Sequence, residues 1–419
     1  MNNSTKINAG FVSLSAYLPA KKLTNEFSEK LVSFLKDNTL LPKEYITDIE
    51  ENKQLPGKIE TNAEGWGNQP WFQAWVNSLS ERKRKNPFQG AEERLRVPLD
   101  PDSLRNSIYP HPMLPSDAET LAGAMAICSS EVNPDDIDLV LAHSQVPDRS
   151  LPQNVSLIQH KLGLKNAGAY SVDSCCASFV TMTELACSLV MSGIKKNVLI
   201  VSSYIDSHVN DRSTHFSVDT GDASVAAIVS KVPEGYGYMA SHSLSHGSRH
   251  DGIIYERRSP LLLKRIDSGP DYSQTFTTFN NPETNREIAK NAAHDLSFVV
   301  KESLKKAEIA VDDIDFLATH QPVSWAGNVW REAIGLPVEK FHETFKKYGN
   351  IATCAAPVNL FESIELDLIK EDDKVILTSS GAGENHISII LKITPELVNN
   401  ISKNKYSKEE PVFNQMLLN

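Results

Sequence analysis

Two adjacent cysteines, Cys175 and Cys176, stand where an extended segment gives way to a helical one. Tyr170 and Val172 before them suit a strand, and apolar residues after them recur at the spacing of a buried helix. The N–H groups and the dipole at a helix N-terminus stabilise a thiolate, the form of cysteine that attacks acyl groups. The position suits a nucleophile, but most intracellular cysteines are inert and buried. The junction alone does not decide between the two.

An internal repeat indicates which elements position these cysteines. Residues 135–143 read DDIDLVLAH and residues 312–320 read DDIDFLATH, without a gap and each after a helical pattern. KNVLIVSS at 196–203 is echoed by DKVILTSS at 373–380, and a further apolar strand follows each. We therefore predict two copies of one α/β unit, with mainly parallel sheets that are covered on both faces.

The predicted halves are residues 1–232, which carry the cysteines, and residues 233–419. A first strand is predicted over 8–18, where apolar and polar residues alternate. Residues 24–116 fit neither copy of the repeat, and we interpret them as an insertion or cap that begins with a helix at 26–37.

Composition and charge limit the possible functions. The chain has 419 residues, of which 40% are hydrophobic and 23% charged, as in ordinary soluble proteins. It shows no membrane span and no signal peptide, so we expect a cytoplasmic location. A net charge of −11 argues against nucleic-acid binding.

Cysteine and histidine spacing predicts neither a disulfide framework nor a metal site. The five cysteines are an odd number and lack paired metal-ligand spacing. Hydrogen bonding explains the scattered histidines better than metal binding does; these are His160, His208, His215, His242, His246 and His250.

Three segments of the second half could meet the cysteines if the halves are related by a pseudo-two-fold axis. They are His320-Gln-Pro at the end of the repeated strand, Tyr348-Gly-Asn350 before a helix, and the glycine-rich turn Ser380-Gly-Ala-Gly-Glu384. Loops at the strand ends of both halves would then line one pocket.

These motifs, in this order, resemble the β-ketoacyl-acyl carrier protein synthase III branch of the thiolase superfamily. The order is YSVDSCCASF, then Gly221-Asp-Ala-Ser, then His-Gln, Tyr-Gly-Asn and Gly-Ala-Gly. The matches cover most of residues 8–18 and 117–393. The resemblance implies a thiolase-like five-layered αβαβα fold of two duplicated halves and a homodimer. It also implies that the substrates are acyl-CoA or acyl carrier protein thioesters and that no cofactor is bound.

The resemblance implies a Cys-His-Asn catalytic set. Cys176 takes the place of the nucleophile because it precedes Ala-Ser-Phe, and His320 and Asn350 take the other two places. The backbone N–H groups of Cys176 and Ala382 could stabilise an oxyanion. His320 and Asn350 could both donate to a malonyl thioester carbonyl, or His320 alone could act as a base on an alcohol or amine.

The same residues also have structural interpretations. Cys175 is expected to be a packing residue and His143, the repeat partner of His320, to be structural. Asn350 could cap the following helix, and Asp222 could brace a turn.

Three departures from the family pattern point to a specialised relative in secondary metabolism or lipid assembly. Ser178 replaces a glycine and could reshape the acyl pocket, and Pro322 removes a backbone donor after His-Gln. The residues that clamp coenzyme A in the family cannot be placed in the expanded region.

Acyl carrier proteins are acidic, as is this chain, so docking would need a local positive surface. Two clusters could supply it; they are Arg82, Arg94 and Arg96, and Arg257, Arg258 and Lys264.

We therefore expect a condensing enzyme that loads an acyl group on Cys176 and extends it with a malonyl-type unit. One alternative is an acyltransferase that uses an oxygen or nitrogen nucleophile and forms no carbon–carbon bond. A second is a non-catalytic subunit of a heteromeric synthase, which the complete Cys-His-Asn set argues against.

Overall fold

A computed structural model shows how the repeated segments pack. It describes residues 7–18, 21–24, 93–96, 114–149, 151–205, 220–257, 276–279 and 281–402, with the backbone alone at 21–24, 93–96, 256–257 and 276–279. The predicted helix at 26–37 and most of the predicted insertion lie outside these residues.

Buried apolar runs of the first half form a five-stranded sheet. Its order is β1-β7-β6-β4-β5. The strands are β1 (Asn8–Tyr17), β4 (Leu139–Ser144), β5 (Gly168–Ser171), β6 (Val198–Tyr204) and β7 (Ala223–Val232). Strand β4 is parallel to β5 and β6, whereas β7 is antiparallel to both β6 and β1.

The second half repeats this order in the sheet β8-β13-β12-β11. The strands are β8 (Gly237–Ser245), β11 (Phe316–Thr319), β12 (Lys374–Gly381) and β13 (Asn385–Lys392). A parallel bridge from Leu317 to Phe341 stands where the first sheet has β5. The fold is therefore built from two duplicated halves, as predicted, while the exact division after residue 232 stays a prediction.

The prediction of mainly parallel sheets was wrong. Strands β12 and β13 are joined by the three-residue turn 382–384, which makes them an antiparallel hairpin. Strand β8 also pairs antiparallel with β13. The continuous apolar runs arise because both faces of each sheet are covered, which does not require parallel pairing.

Helices complete five layers. The outer face of the first sheet is covered by α1 (Pro115–Ser129) and α2 (Val155–Lys161). Between the sheets lie α3 (Ser178–Met191) and α7 (Ala355–Glu365), within the largest hydrophobic core. The outer face of the second sheet is covered by α4 (Pro282–Ala307) and α5 (Ala326–Ile334).

The smaller elements lie around these layers. They are the two-stranded pairs β2 (Lys21–Thr24) with β3 (Glu93–Arg96) and β9 (Ile254–Arg257) with β10 (Phe276–Phe279), and the short helices α6 (Phe345–Tyr348) and α8 (Pro395–Ser402). No helix in the part of the chain that the structure describes is long and apolar enough to cross a bilayer.

The repeated Asp-Asp-Ile-Asp motif forms the same local structure twice. Residues 134–136 and 311–313 are single 3₁₀ turns, and the isoleucine that follows each turn, Ile137 or Ile314, is completely buried. Each turn therefore anchors the start of a parallel strand, β4 or β11, and the histidine of the repeat lies near the far end of that strand.

Candidate active site

The cysteines lie on a 3₁₀ turn, Cys175–Ala177, that leads directly into α3. Cys175 has a φ of +54°, in the left-handed region that non-glycine residues rarely adopt. Its N–H donates to Asp173 Oδ1 (2.8 Å). Ser178 Oγ accepts from the Ser174 N–H (2.8 Å) and donates to the Cys175 carbonyl (2.7 Å). The Ser178 hydroxyl thus braces the cysteine turn, a role that the sequence did not predict.

A matching turn in the second half packs against this one. Residues Ala352–Cys354 form a 3₁₀ turn before α7, and Ala352 has a φ of +46°. Thr353 Oγ1 accepts a hydrogen bond from the N–H of Phe179, the second residue of α3 (3.1 Å). The duplication therefore brings the two central helices together at their N-termini.

The two sulfurs form a coupled pair. Cys175 Sγ and Cys176 Sγ are 3.8 Å apart, and Gln145 Nε2 donates to Cys175 Sγ at 3.2 Å. The hydrogen bond from Cys176 lowers the pKa of Cys175 to about 7; burial opposes the shift, and Gln145 and the N–H groups of Ala382 and Cys176 assist it. The same hydrogen bond, together with burial and the Cys175 charge, raises the pKa of Cys176. Cys175 is thus the first sulfur to ionise.

Gln145 is a site residue that sequence reasoning missed. Its Oε1 lies 3.2 Å from His143 Nε2, and His143 Nδ1 lies 3.6 Å from Asp173 Oδ1. Burial lowers the pKa of His143, although Asp173 and Gln145 oppose the shift. His143 therefore orients Gln145 towards Cys175, in line with its predicted structural role. The signal was available, since Gln145 follows β4 much as Gln321 follows β11.

His320 is buried at the end of β11. Its Nδ1 lies 3.0 Å from the Ser380 carbonyl oxygen and its Nε2 lies 3.2 Å from Asn350 Oδ1. Both contacts are with oxygens that only accept; the shorter one, to Ser380, places the proton of the neutral ring on Nδ1, and the Nε2 lone pair then lies beside Asn350 Oδ1 without a hydrogen bond. Burial lowers the pKa of His320 to about 4, although the contacts with Asn350 and Ser380 act to raise it. The imidazole is therefore neutral at pH 7.

Asn350 follows a glycine that the backbone requires, because Gly349 has a φ of +71°. Asn350 Oδ1 accepts from the Ala352 N–H (2.9 Å), and its carbonyl accepts from the Gly221 N–H (3.2 Å). The side chain does cap the following turn, as the structural interpretation held. This contact fixes the orientation of the amide and leaves Nδ2 as its donor end.

Gln321 holds the segment that leads to Asn350. Its Oε1 accepts from the N–H groups of Thr344 (2.9 Å) and Phe345 (3.0 Å), and its Nε2 donates to the His342 carbonyl (3.0 Å). Gln321, which directly follows His320, thus fixes the segment that leads to Asn350.

The glycine-rich turn packs directly on the cysteine turn. A Cβ on Gly381 would lie 2.3 Å from the Ser174 carbonyl oxygen and 3.1 Å from the Cys176 nitrogen. Ser379 Oγ donates to the Cys176 carbonyl (2.8 Å). The N–H groups of Cys176 and Ala382, the predicted oxyanion donors, both stabilise charge on the sulfurs.

Two chains of contact connect Cys176 with His320 and Asn350. Cys176 packs against the hydrophobic cluster that contains Ala352, and the Ala352 N–H donates to Asn350 Oδ1. The end of β12 binds the Cys176 carbonyl through Ser379 and His320 through the Ser380 carbonyl. The structure thus connects the turn of Cys176 to the segments of His320 and Asn350, which are more than 140 positions away in the sequence.

The docking role of the predicted positive clusters stays a prediction. Arg82, Arg258 and Lys264 lie outside the described residues. The backbone places Arg94 and Arg96 on β3 and Arg257 on β9.

Two sheets around two central helices, with a cysteine turn at the head of one, define a thiolase-like condensing acyltransferase. The chain belongs to the β-ketoacyl-[acyl-carrier-protein] synthase III family. The model for 3-oxoacyl-[acyl-carrier-protein (ACP)] synthase III matches residues 170–247, and the model for its C-terminal part matches residues 304–393.

Curated relatives agree with this assignment, and a solved structure has the same fold. A β-ketoacyl-[acyl-carrier-protein] synthase III from Campylobacter jejuni subsp. jejuni serotype O:6 is 30% identical over 285 residues, which cover 67% of this chain and 83% of the relative. The protein of the same name from Fusobacterium nucleatum is 28% identical over 66% of this chain and 83% of its own length. A 3-oxoacyl-[acyl-carrier-protein] synthase III structure from Aquifex aeolicus VF5 has a TM-score of 0.67 at 21% identity, over 92% of this chain and all of that one (100%).

Proposed function

We propose that this enzyme loads an acyl group on Cys176 from a coenzyme A or acyl carrier protein thioester and extends it by decarboxylative condensation with a malonyl-type unit. The observation that carries the proposal is the contact of the cysteine turn with the turns that hold His320, Asn350 and Ala382. The names of the relatives, which are synthases of β-ketoacyl thioesters, support the same reaction class.

In the first step the Cys176 sulfur attacks the thioester carbonyl. A carbon–sulfur bond to the enzyme forms and the bond to the carrier sulfur breaks, so the carrier leaves as a thiol. The negative oxygen of the intermediate is stabilised by the N–H groups of Cys176 and Ala382, at about 3 kcal/mol per donor in comparable enzymes. The proton of the Cys176 thiol passes to Nε2 of neutral His320 and then to the leaving sulfur.

In the second step the malonyl carboxylate leaves as carbon dioxide and the resulting enolate attacks the acyl group on Cys176. This step consumes one proton, which ends on the released Cys176 sulfur. His320 takes this proton from solvent on Nε2 and passes it on; while it holds the proton, Nδ1–H donates to the Ser380 carbonyl and Nε2–H, beside Asn350 Oδ1, can donate to the enolate oxygen. Asn350 Nδ2 is the second donor to that oxygen.

The Nε2 lone pair of neutral His320 also suits a base that acts on an alcohol or amine. Transfer of the acyl group to oxygen or nitrogen would use the same cysteine, but it would release no carbon dioxide. The two reactions therefore differ in a directly measurable product.

Intact-protein mass spectrometry with a panel of acyl-CoA and acyl carrier thioesters tests the proposal. We expect a single acyl adduct that is absent from Cys176→Ala, and carbon dioxide release when a malonyl thioester is added. Cys128→Ser, which removes an exposed cysteine, serves as the matched control and should retain the adduct. An adduct that persists in Cys176→Ala, or turnover without carbon dioxide, would contradict decarboxylative condensation at Cys176.

Docking of an acidic carrier protein would use the positive clusters around Arg94 and Arg257, with the enzyme as a homodimer. Charge reversal of Arg82, Arg94 and Arg96, and separately of Arg257, Arg258 and Lys264, should raise KM for carrier-bound substrate and leave KM for the CoA thioester unchanged. Light scattering of the same samples would report the oligomeric state.

A further inference from the structure

A cluster of buried polar side chains lies behind the glycine-rich turn. His246 follows β8, Asp295 lies in the middle of α4, and His386 is the second residue of β13. Arg249 Nη1 donates to Asp295 Oδ2 (2.6 Å) and to Glu384 Oε2 (2.9 Å). Three elements that are far apart in the sequence therefore converge on one point.

The candidate ligand atoms have the spacing of a metal site. One nitrogen each from His246 and His386 and one oxygen from Asp295 all lie within 4.8 Å of one another. His246 Nε2 is 3.4 Å from Asp295 Oδ2. Zinc–ligand bonds of about 2.0–2.1 Å in a tetrahedron separate neighbouring ligand atoms by about 3.3–3.4 Å. One edge of the coordination sphere is thus already formed.

The ring of His386 is oriented as in metal-binding histidines. His386 is 1% exposed, and its Nδ1 lies 2.8 Å from Ser380 Oγ. Its Nε2 is buried without a hydrogen-bond partner, although Glu384 Oε1 lies 3.3 Å away. His246 Nε2 is likewise buried and makes no hydrogen bond. A metal-binding histidine has one nitrogen held by a polar partner and the other directed at the ion.

The charge of the cluster favours a cation. Asp295 and Glu384 are buried, and Arg249 is the guanidinium between them, so these three side chains carry a net negative charge. An unbalanced buried charge is costly, and a bound cation would offset it. The hydrogen bonds from Arg249 do not prevent the binding of a cation, because each carboxylate oxygen can interact with more than one partner.

We propose that His246, Asp295 and His386 bind a divalent transition metal of the zinc class. Two imidazole ligands favour zinc, cobalt, nickel or copper over magnesium and calcium, which prefer oxygen ligands. The side chain of His246 is 29% exposed, which provides a path for entry.

The ion would join β8, α4 and β13 and would hold His386 against Ser380. The carbonyl of Ser380 binds Nδ1 of His320. The metal would therefore stabilise the second half at a point that contacts the proposed catalytic histidine.

Titration of the full-length, chelator-treated protein with Co²⁺, monitored by its visible absorption bands, tests the site. We expect binding of one Co²⁺ per chain, competed by Zn²⁺, and its loss in His386→Asn and in His246→Asn. Ser380→Ala, which removes the partner of His386 Nδ1, should weaken binding about 10-fold or more.

Two controls separate this site from other metal-binding groups. His242→Asn changes a histidine of β8 outside the cluster and should leave binding unchanged. The double variant Cys175→Ser/Cys176→Ala should also bind, since the proposed site uses no thiolate. Circular dichroism establishes that each variant is folded. No Co²⁺ binding by the folded wild-type protein, binding retained in both histidine variants, or loss in the cysteine double variant would overturn the proposal.

Discussion

The carbonyl oxygen of Ser174 occupies the space that any side chain on Gly381 would need, since a Cβ there would come within 2.3 Å of it. Neither group can move easily, because both belong to backbone that is hydrogen-bonded in the site. The glycine turn and the cysteine turn are therefore in direct backbone contact, with the N–H groups of Cys176 and Ala382 beside the sulfurs.

Gly381→Ala should displace the turn that carries Ala382. Loss of one oxyanion donor lowers kcat by about 10²–10³ in comparable enzymes, and we expect a fall of this size in steady-state assays. Gly247→Ala is the matched control because no atom lies within 4 Å of its Cβ position. A wild-type kcat in Gly381→Ala would show that this contact does not matter for catalysis.

Substitution of Cys175 and of Cys176 should have different effects on acylation. Cys176→Ala should abolish acylation, whereas Cys175→Ser should still form the adduct, and at least as fast at pH 7, because the neighbouring thiol that raises the pKa of Cys176 is removed. Pre-steady-state mass spectrometry of both variants measures this. If Cys175→Ser were the variant without an adduct, the nucleophile would have to be reassigned to Cys175.

Asn350→Asp should affect the two half-reactions differently. The carboxylate keeps the oxygen that accepts from the Ala352 N–H but removes the Nδ2 donor. We expect acylation of Cys176 within about 10-fold of wild type and carbon dioxide release reduced by about 10²-fold. Asn350→Ala, which also removes the cap, should be less stable. Equal losses in both half-reactions of Asn350→Asp would indicate a purely structural role.

His320 should make stability depend on pH in the acid range. Burial lowers its pKa from an ordinary value of 6.5 to about 4, so the unfolded chain binds a proton between these limits and the folded chain does not. The free energy of unfolding should therefore fall as pH drops from 6.5 to 4, by up to about 3 kcal/mol from this residue. Urea denaturation at several pH values should show that the free energy of unfolding of His320→Gln depends less on pH than that of the wild type. His160→Gln, at an exposed position, should keep the pH dependence of the wild type.

Glu119 should have an effect of the opposite sign. Burial raises its pKa from 4.5 to about 7, although hydrogen bonds from Ser144, Ser203 and Asn154 oppose the shift. The unfolded chain loses this proton near pH 4.5 and the folded chain keeps it until about pH 7, so stability declines as pH rises through this window.

Glu119→Gln keeps the shape of the protonated side chain and removes the titration. Above pH 7 we expect it to exceed the wild type in free energy of unfolding by up to about 3 kcal/mol. Glu131→Gln, at an exposed position, is the control. If Glu119→Gln were less stable than the wild type at pH 8, the raised pKa assigned to Glu119 would be contradicted.

Local patterns in the sequence predicted the duplicated α/β fold and the cysteine at a helix N-terminus. These features could be found because alternation, helical spacing and repeated motifs record which residues are buried. The motif order was enough to place the chain near its family. It did not give strand direction, because strands that are covered on both faces look alike whether they are parallel or antiparallel.

Only the tertiary structure decided which distant residues meet. It placed Gln145 on Cys175, gave Cys175 the lower pKa and directed Nδ1 of His320 to the Ser380 carbonyl. It also gathered His246, Asp295 and His386, which have no metal-ligand spacing in the sequence. The physical reason is that burial is encoded by nearby residues, whereas pKa values, tautomers and ligand geometry depend on contacts between segments that are brought together by the packing of two sheets and the helices between them.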